Sequence, residues 1–209
     1  MLLRVCLFTA CPVVVQLVQT SSLIILYHTC LNKSRVILYY LWNGWRDTWG
    51  IAGDSAGAAI AACLINICEK EQLVPPCGQM LIYPVTDATL SSESMKVYVD
   101  TPLWNAVNNQ KMWKYYLKGK NEQERIKASP LDNELPGKVP KTYIETAEYD
   151  CLHDEGIAYA NKLKLMGTSV ILNETHGTFH GYDSCLNAKI SRTNVKKRID
   201  FIKNLISER

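Results

Sequence analysis

An α/β fold, a mostly parallel sheet with helices on both faces, is the class this sequence predicts, and three observations predict it. From residue 49 onward, short apolar runs of strand length alternate with amphipathic segments of helix length. The apolar runs are continuous rather than alternating in polarity, which suits strands covered on both faces. A glycine-flanked serine, Gly53-Asp54-Ser55-Ala56-Gly57, stands between one such run and an alanine-rich segment, where a strand would turn sharply into a helix.

Taken in order, residues 1–27 open with Arg4 and a nearly wholly apolar run from Val5 to Val18. That run falls short of the ~20 residues of a membrane span. It has the length of a signal-peptide core but no small-x-small cleavage site follows it, so a buried strand or irregular segment is expected, with secretion or anchoring as the alternative. Ser22 to His28 reads as a buried parallel strand. Thr29 to Asp47, with Tyr39, Tyr40, Trp42 and Trp45, keeps neither period and receives no assignment. Trp49 to Ala52 is the strand entering the turn, followed by a helix from Ala56 to roughly Glu71 that Pro75 and Pro76 end.

Gln79 to Tyr83 is a second buried strand, stopped by Pro84, and Asp87 to Ser94 is polar loop. Residues 95–118, rich in aromatic side chains, predict one or two short amphipathic helices, either core or a lid over a pocket. Asn121 to Pro140 is charged and proline-bearing, a surface connection. Thr142 to Thr146 is a third strand, and a helix from Asp154 to Met166 turns Ile157, Ala160 and Leu163 inward and stops at Gly167. Ser169 to Leu172 is a fourth strand. The last helix, Leu186 to Ile206, places Ile190, Ile199, Ile202, Leu205 and Ile206 inward, with Lys196-Lys197-Arg198 on a solvated face.

With 209 residues and 47% hydrophobic content the chain can bury one substantial core. A net charge of +3, from 23 basic and 20 acidic residues, makes no field that favours nucleic acid as a partner. The eight cysteines contain no Cys-x-x-Cys pair and the four histidines lack finger spacing, so neither a metal nor another cofactor is expected. Buried thiols in a reducing compartment explain the cysteines and place the protein in the cytoplasm.

Chemistry gathers at three residues that each follow a strand: Ser55, Asp150 and His180. At the carboxyl edge of a parallel sheet they would form a nucleophile, an orienting acid and a base, in the chain order of an α/β-hydrolase triad. Gly53 and Gly57 would let strand and helix approach closely, and the backbone N–H of Ala56 would face a developing oxyanion at the helix start. Glu148 and Asp154 rival Asp150, and Asp154 is better suited to cap the next helix. His176 rivals His180. Asp54 reads as an acceptor for backbone donors in the turn.

These residues resemble the hormone-sensitive-lipase-like branch of the α/β-hydrolases, which also holds the arylacetamide deacetylases and many bacterial carboxylesterases. The shared stretches are Gly-Asp-Ser-Ala-Gly at 53–57, Leu-Ile-Tyr-Pro at 81–84, Ser-Pro-Leu at 129–131, Ala-Glu-Tyr-Asp-Cys-Leu-His-Asp-Glu-Gly at 147–156 and Gly-Thr-Phe-His-Gly-Tyr at 177–182. The resemblance implies an α/β-hydrolase fold, Ser55 as nucleophile, Asp150 as acid, His180 as base, and a cap around 95–118 beside an acyl pocket. It implies a small ester as substrate; from the charge balance and the short apolar run, neither nucleic acid nor a membrane is expected as a partner. Cys151 stands where proline is usual in the family, and His153 where arginine is usual.

The N-terminal quarter departs from the family. Members carry a His-Gly-Gly-Gly loop whose backbone N–H groups supply most of the oxyanion hole; here Thr29-Cys30-Leu31 follows His28. The expectation is therefore a catalytic domain over 49–209 joined to an atypical segment, 1–48, that is foreign or misread and lacks sheet elements of the family. A serine carboxylesterase is the leading expectation, and a catalytically impaired hydrolase-like binding protein is the alternative.

Overall fold

The alternation of strands and helices from residue 47 on builds the parallel half of one sheet. The computed structural model describes residues 14–20, 23–29, 35–42, 47–70, 72 and 74–207. Its seven strands lie side by side in chain order: β1 (Val14–Thr20), β2 (Leu23–Thr29), β3 (Arg35–Trp42), β4 (Asp47–Asp54), β5 (Gly78–Ile82), β6 (Lys141–Tyr149) and β7 (Val170–Phe179). β4 through β7 pair in parallel, whereas β1 through β4 pair antiparallel.

The parallel reading of residues 22–28 is thus corrected, since Leu26 of β2 lies opposite Leu17 of β1 and Leu38 of β3 in antiparallel ladders. Chain length decides it. β1 ends at Thr20 and β2 starts at Leu23, β2 ends at Thr29 and β3 starts at Arg35, and a parallel crossover takes about a dozen residues or more. The unassigned stretch from Thr29 to Asp47 holds β3. Most of the apolar run that opens the chain, with Cys6 and Cys11, lies outside the described residues, as does Cys30.

Each parallel connection carries helix. α1 (Ala56–Cys68) joins β4 to β5, and α5 (His153–Leu165) joins β6 to β7. Between β5 and β6 come α2 (Glu93–Val97), α3 (Ala106–Tyr116) and α4 (Glu122–Ala128). A 3-10 turn, Tyr182–Ser184, precedes the final helix, α6 (Lys189–Ser207). α1 stops at Cys68, before the prolines, where Gln72 N–H closes a turn on the Glu69 carbonyl with φ of 53°. α4 corrects the reading of 121–140 as plain connection: Asn121 and Glu124 form a reciprocal capping box, which satisfies two donors and starts a helix in a polar sequence.

Two apolar layers cover the parallel strands on their two faces. On one face Ile51, Leu81 and Ile144 pack against Ala58, Ala61, Ala62 and Ile65 of α1 and Tyr159, Ala160 and Leu163 of α5. On the other, Ala52, Met80, Ile82, Tyr143 and Ala147 meet Phe201 and Leu205 of α6. Alternation of side chains along each strand sends odd and even positions to opposite layers. Of the residues expected inward on α6, Leu205 is buried and Ile202 packs against the core, but Ile190 and Ile199 are exposed, Ser191, Asn194 and Phe201 are buried in one stripe with Leu205, and Ile206 lies outside the described side chains. Arg198 lies on this inner stripe, its side chain only 13% exposed, so the Lys196-Lys197-Arg198 run is not wholly a solvated face. Midway along α6, Arg198 meets the buried acid Glu145 of β6.

Candidate active site

The four parallel strands all deliver site residues at their carboxyl ends: Ser55 after β4, Tyr83 after β5, Asp150 after β6 and His180 after β7. Ser55 sits at the tip of the strand-to-helix turn with φ 54° and ψ −124°, a region that a residue with a Cβ occupies only when its surroundings hold it there. Its N–H donates to Ile82 O at 2.9 Å, and its carbonyl accepts from Ala58 N at 3.0 Å and Val85 N at 3.4 Å. The turn closes only because Gly53 lacks a side chain: a Cβ there would lie 2.3 Å from the Gly57 carbonyl oxygen. Ala56 opens α1, where the first backbone N–H groups have no acceptor within the helix and the helix dipole is positive.

His180 bridges the other two residues. Its Nδ1 lies 2.7 Å from Asp150 Oδ2 and its Nε2 3.0 Å from Ser55 Oγ. Asp150 is completely buried and His180 nearly so. A buried carboxylate can only accept, so Nδ1 carries the proton and Nε2 is left to accept from the serine hydroxyl. The second oxygen of Asp150 accepts from Leu152 N–H at 3.0 Å, which fixes the carboxylate plane. Two aromatic rings flank the imidazole: Tyr83, 4.5 Å between centroids, and Trp104, at 6.1 Å. Leu103, exposed at the rim, comes within 3.3 Å of where a Cβ on Gly181 would stand.

The rival residues are placed elsewhere. His176 is 86% exposed and faces Glu148 at 3.8 Å, while Glu148 accepts from Gly177 N–H at 2.6 Å. Asp154 corrects its capping assignment: α5 has no side-chain cap, and Asp154 Oδ2 instead accepts from Ser94 N–H at 2.7 Å, at the start of α2. His153 Nδ1 meets its other oxygen at 2.8 Å. Burial opposes the Asp154 carboxylate, yet His153 and Ser94 outweigh it and hold it below the ordinary range. Asp54 and Tyr83 influence each other electrostatically.

Sequence reasoning does not single out Tyr83 or Trp104 as site residues. Tyr83 carries a usable signal, since it stands between a buried strand and a proline. Trp104 falls in the aromatic stretch 95–118, read as core or a lid over a pocket, and the fold of 98–106 brings it to His180. Among the described residues no group of three or more His, Cys, Asp or Glu side chains is placed to hold a metal ion. Cys63, Cys68, Cys77, Cys151 and Cys185 are free thiols. Burial pushes the half-buried Cys63 thiol up to about 12, which disfavours the nucleophilic thiolate. A groove of about 730 Å³ lies among the C-terminal ends of α1 and α5 and the α4 segment, lined by Lys70, Lys127, Lys162 and Leu165 among others, and holds none of the site residues. Among the described residues no helix is long and apolar enough to cross a membrane.

Fold, elbow and array together define a hydrolase-type α/β protein, and comparison with known sequences makes the assignment specific. The chain belongs to the alpha/beta hydrolase fold family whose model matches residues 37–184. It is 31% identical to an ethyl acetate hydrolase of Pseudomonas putida over 133 residues, 63% of this chain and 42% of that protein. It is 38% identical to the arylacetamide deacetylase of Bos taurus over 80 residues, 37% of this chain and 20% of the relative. A bacterial heroin esterase superposes with a TM-score of 0.69 at 36% identity, covering 75% of this chain and 51% of the other. The chain therefore spans about half the length of the relatives it matches, or less.

Proposed function

We propose that this protein is a carboxylic ester hydrolase working through an acyl intermediate on Ser55. The observation that carries the reading is the continuous hydrogen-bonded run from Ser55 Oγ through His180 to Asp150. Ser55 Oγ bonds to the ester carbonyl carbon as its proton passes to His180 Nε2, and the carbonyl electron pair moves onto oxygen. Collapse of the tetrahedral species breaks the bond to the alkoxy group, which leaves as the alcohol with the proton from Nε2. Water then repeats the sequence on the acyl-serine and releases the acid. Asp150 holds the imidazole tautomer and stabilises the imidazolium. The Ala56 N–H, at the positive end of α1, serves the oxyanion.

Short acyl or aryl esters are the substrates this reading favours. Tyr83, Trp104 and Leu103 give the mouth of the site an apolar rim, and α2 and α3 supply Trp104's surroundings as a small cap. The names of the relatives, ethyl acetate hydrolase and esterases, point to the same bond. A second reading, a hydrolase-like binding protein with impaired catalysis, draws on the sequence after His28, where Thr29-Cys30-Leu31 stands in place of an oxyanion-loop glycine run. Hydrolysis of p-nitrophenyl acetate by wild type and by Ser55→Ala decides between them. The expected result is turnover by the wild type and a loss of about 10⁴-fold or more in the variant. Equal rates would overturn the enzymatic reading; ligand binding without turnover in either would support the second.

A further inference from the structure

Behind His180 lies a buried polar network that none of the steps above uses. Glu145, on β6, has no exposed surface, yet every direction around its carboxylate is occupied. Oε1 accepts from the Tyr182 hydroxyl at 2.7 Å and from Arg198 Nη2. Oε2 accepts from the Tyr143 hydroxyl at 2.8 Å, Asn173 Nδ2 at 3.1 Å and Arg198 Nε at 3.3 Å. Arg198 turns its remaining arm to Asp183, Nη1 to Oδ2 at 2.6 Å, and Asp183 Oδ1 accepts from the Tyr83 hydroxyl at 2.8 Å. Tyr83 is the ring that lies against His180. The run Glu145, Arg198, Asp183, Tyr83 therefore ends on the imidazole.

Two features make this more than a distant ion pair. Tyr83 is tied at both ends: its N–H donates to the Glu145 carbonyl at 2.6 Å, its hydroxyl to Asp183, and its backbone sits at φ 35°, a strained value that only such over-determination maintains. Tyr182 and Asp183 also clamp the chain directly after His180, where Gly181 at φ 73° leaves the loop free to take other directions. Burial would raise the Asp183 carboxyl, but Arg198 and the Tyr83 hydroxyl hold it below the ordinary range. Burial, then Asp183, pushes the Tyr83 phenol up, so it stays a neutral donor. A buried charge cluster adds little to stability alone, since apolar side chains of the same volume often serve as well. A requirement for geometry explains it better.

We propose that Arg198 is a positioning residue that, through Asp183 and Tyr83, holds the His180 imidazole where it reaches both Ser55 and Asp150. The proposal rests on the ester-hydrolase reading for its kinetic consequence, but its geometric consequence is independent of that reading. Arg198→Met keeps the volume and removes the fork; Asp183→Asn and Tyr83→Phe break the run while leaving the Arg198–Glu145 pair intact. Kinetics with p-nitrophenyl acetate and the far-downfield proton NMR resonance of the His180 Nδ1–H···Asp150 bond test it. In Arg198→Met, kcat falls about 100-fold with KM nearly unchanged, as misplacement of a reacting group by an ångström does, and the resonance broadens or vanishes. Asp183→Asn shows the same pattern, Tyr83→Phe a smaller one because the ring remains, and Arg198→Lys restores part of kcat.

Unchanged kcat and resonance with only a lower melting temperature would overturn the proposal, as would a rise in KM alone. Where Arg198→Met does not fold, the same two readouts in Asp183→Asn and Tyr83→Phe decide the matter. If the wild type hydrolyses no ester, the resonance alone decides: its loss in Asp183→Asn keeps the positioning role while the ester-hydrolase reading fails, and its persistence rejects the positioning role.

Discussion

Two glutamates, one on each side of the sheet, are buried to the same degree and solved in opposite ways. Glu145, on the α6 side, is 0% exposed, and Glu155, on α5, is 1% exposed. Glu145 has Arg198 and three neutral donors around it. Glu155 has no cation: its Oε1 accepts from Thr86 N–H at 2.6 Å and Asp87 N–H at 3.2 Å, while Oε2 has no partner among the described residues. Burial drives the Glu155 carboxyl well above the ordinary range against the pull of those two amides. The difference teaches that depth alone does not describe a buried acid. Glu145 meets an arginine and three neutral donors, whereas the two amides beside Glu155 do not offset burial, which raises its carboxyl.

The largest effect expected from this contrast is at Glu145. Glu145→Gln preserves shape but leaves Arg198 with a buried charge and one carboxylate instead of two. Breaking a buried pair by removing one partner costs about 3 kcal/mol or more. Urea denaturation followed by tryptophan fluorescence measures it; a loss below that of a surface control would show that the pair contributes nothing to the fold.

Glu155→Leu is expected to be milder. It removes no ion pair; it strands the N–H groups of Thr86 and Asp87, each at about 1 to 3 kcal/mol, but it also removes an acid that burial opposes, which offsets part of that cost. The affected loop follows Tyr83 and is also fixed by Val85 N–H on the Ser55 carbonyl, so loosening there reaches the site. Denaturation together with the rate of Ser55 labelling by a fluorophosphonate checks both consequences. A fall in stability with an unchanged labelling rate would separate the loop from the site.

The contrast also shows what a sequence can convey. Ser55, Asp150 and His180 are legible because each follows an apolar run, and strand ends in a parallel sheet converge on one edge; the structure brings the three within hydrogen-bonding distance. Arg198 is not legible. Its neighbours Lys196 and Lys197 are charged and the helix is rich in isoleucine, so the apolar count selects Ile190, Ile199, Ile202, Leu205 and Ile206 as the inner face; Leu205 is buried and Ile202 packs on the core, but Ile190 and Ile199 are exposed. Only the presence of a buried Glu145 across the layer places an arginine on the inner stripe, and that is a tertiary fact. α4 escapes a reading by period for a related reason: its helix rests on the Asn121–Glu124 capping box and not on any apolar repeat, with no residue buried. The direction of β2 follows from connection length, which the unassigned stretch before β4 conceals.

The smallest effect on the contrast is the most discriminating. Glu155→Gln places an amide where burial favours the protonated acid, keeping an acceptor for Thr86 and Asp87, so stability below about pH 4.5, where the acid is protonated in both states, should change by no more than about 1 kcal/mol. Its pH dependence should change more. The folded-state pKa of Glu155 is raised above the unfolded value near 4.5, so the folded state holds the proton where the unfolded state has released it. The contribution is therefore fully present below the unfolded pKa and is lost as pH rises through the folded one. Wild-type stability should slope downward with rising pH above about 4.5 by this term, and Glu155→Gln should lack that component. Urea midpoints across the pH range in both proteins read it directly: parallel curves would mean that Glu155 is ionised in the fold, and that the unpartnered oxygen has found a donor.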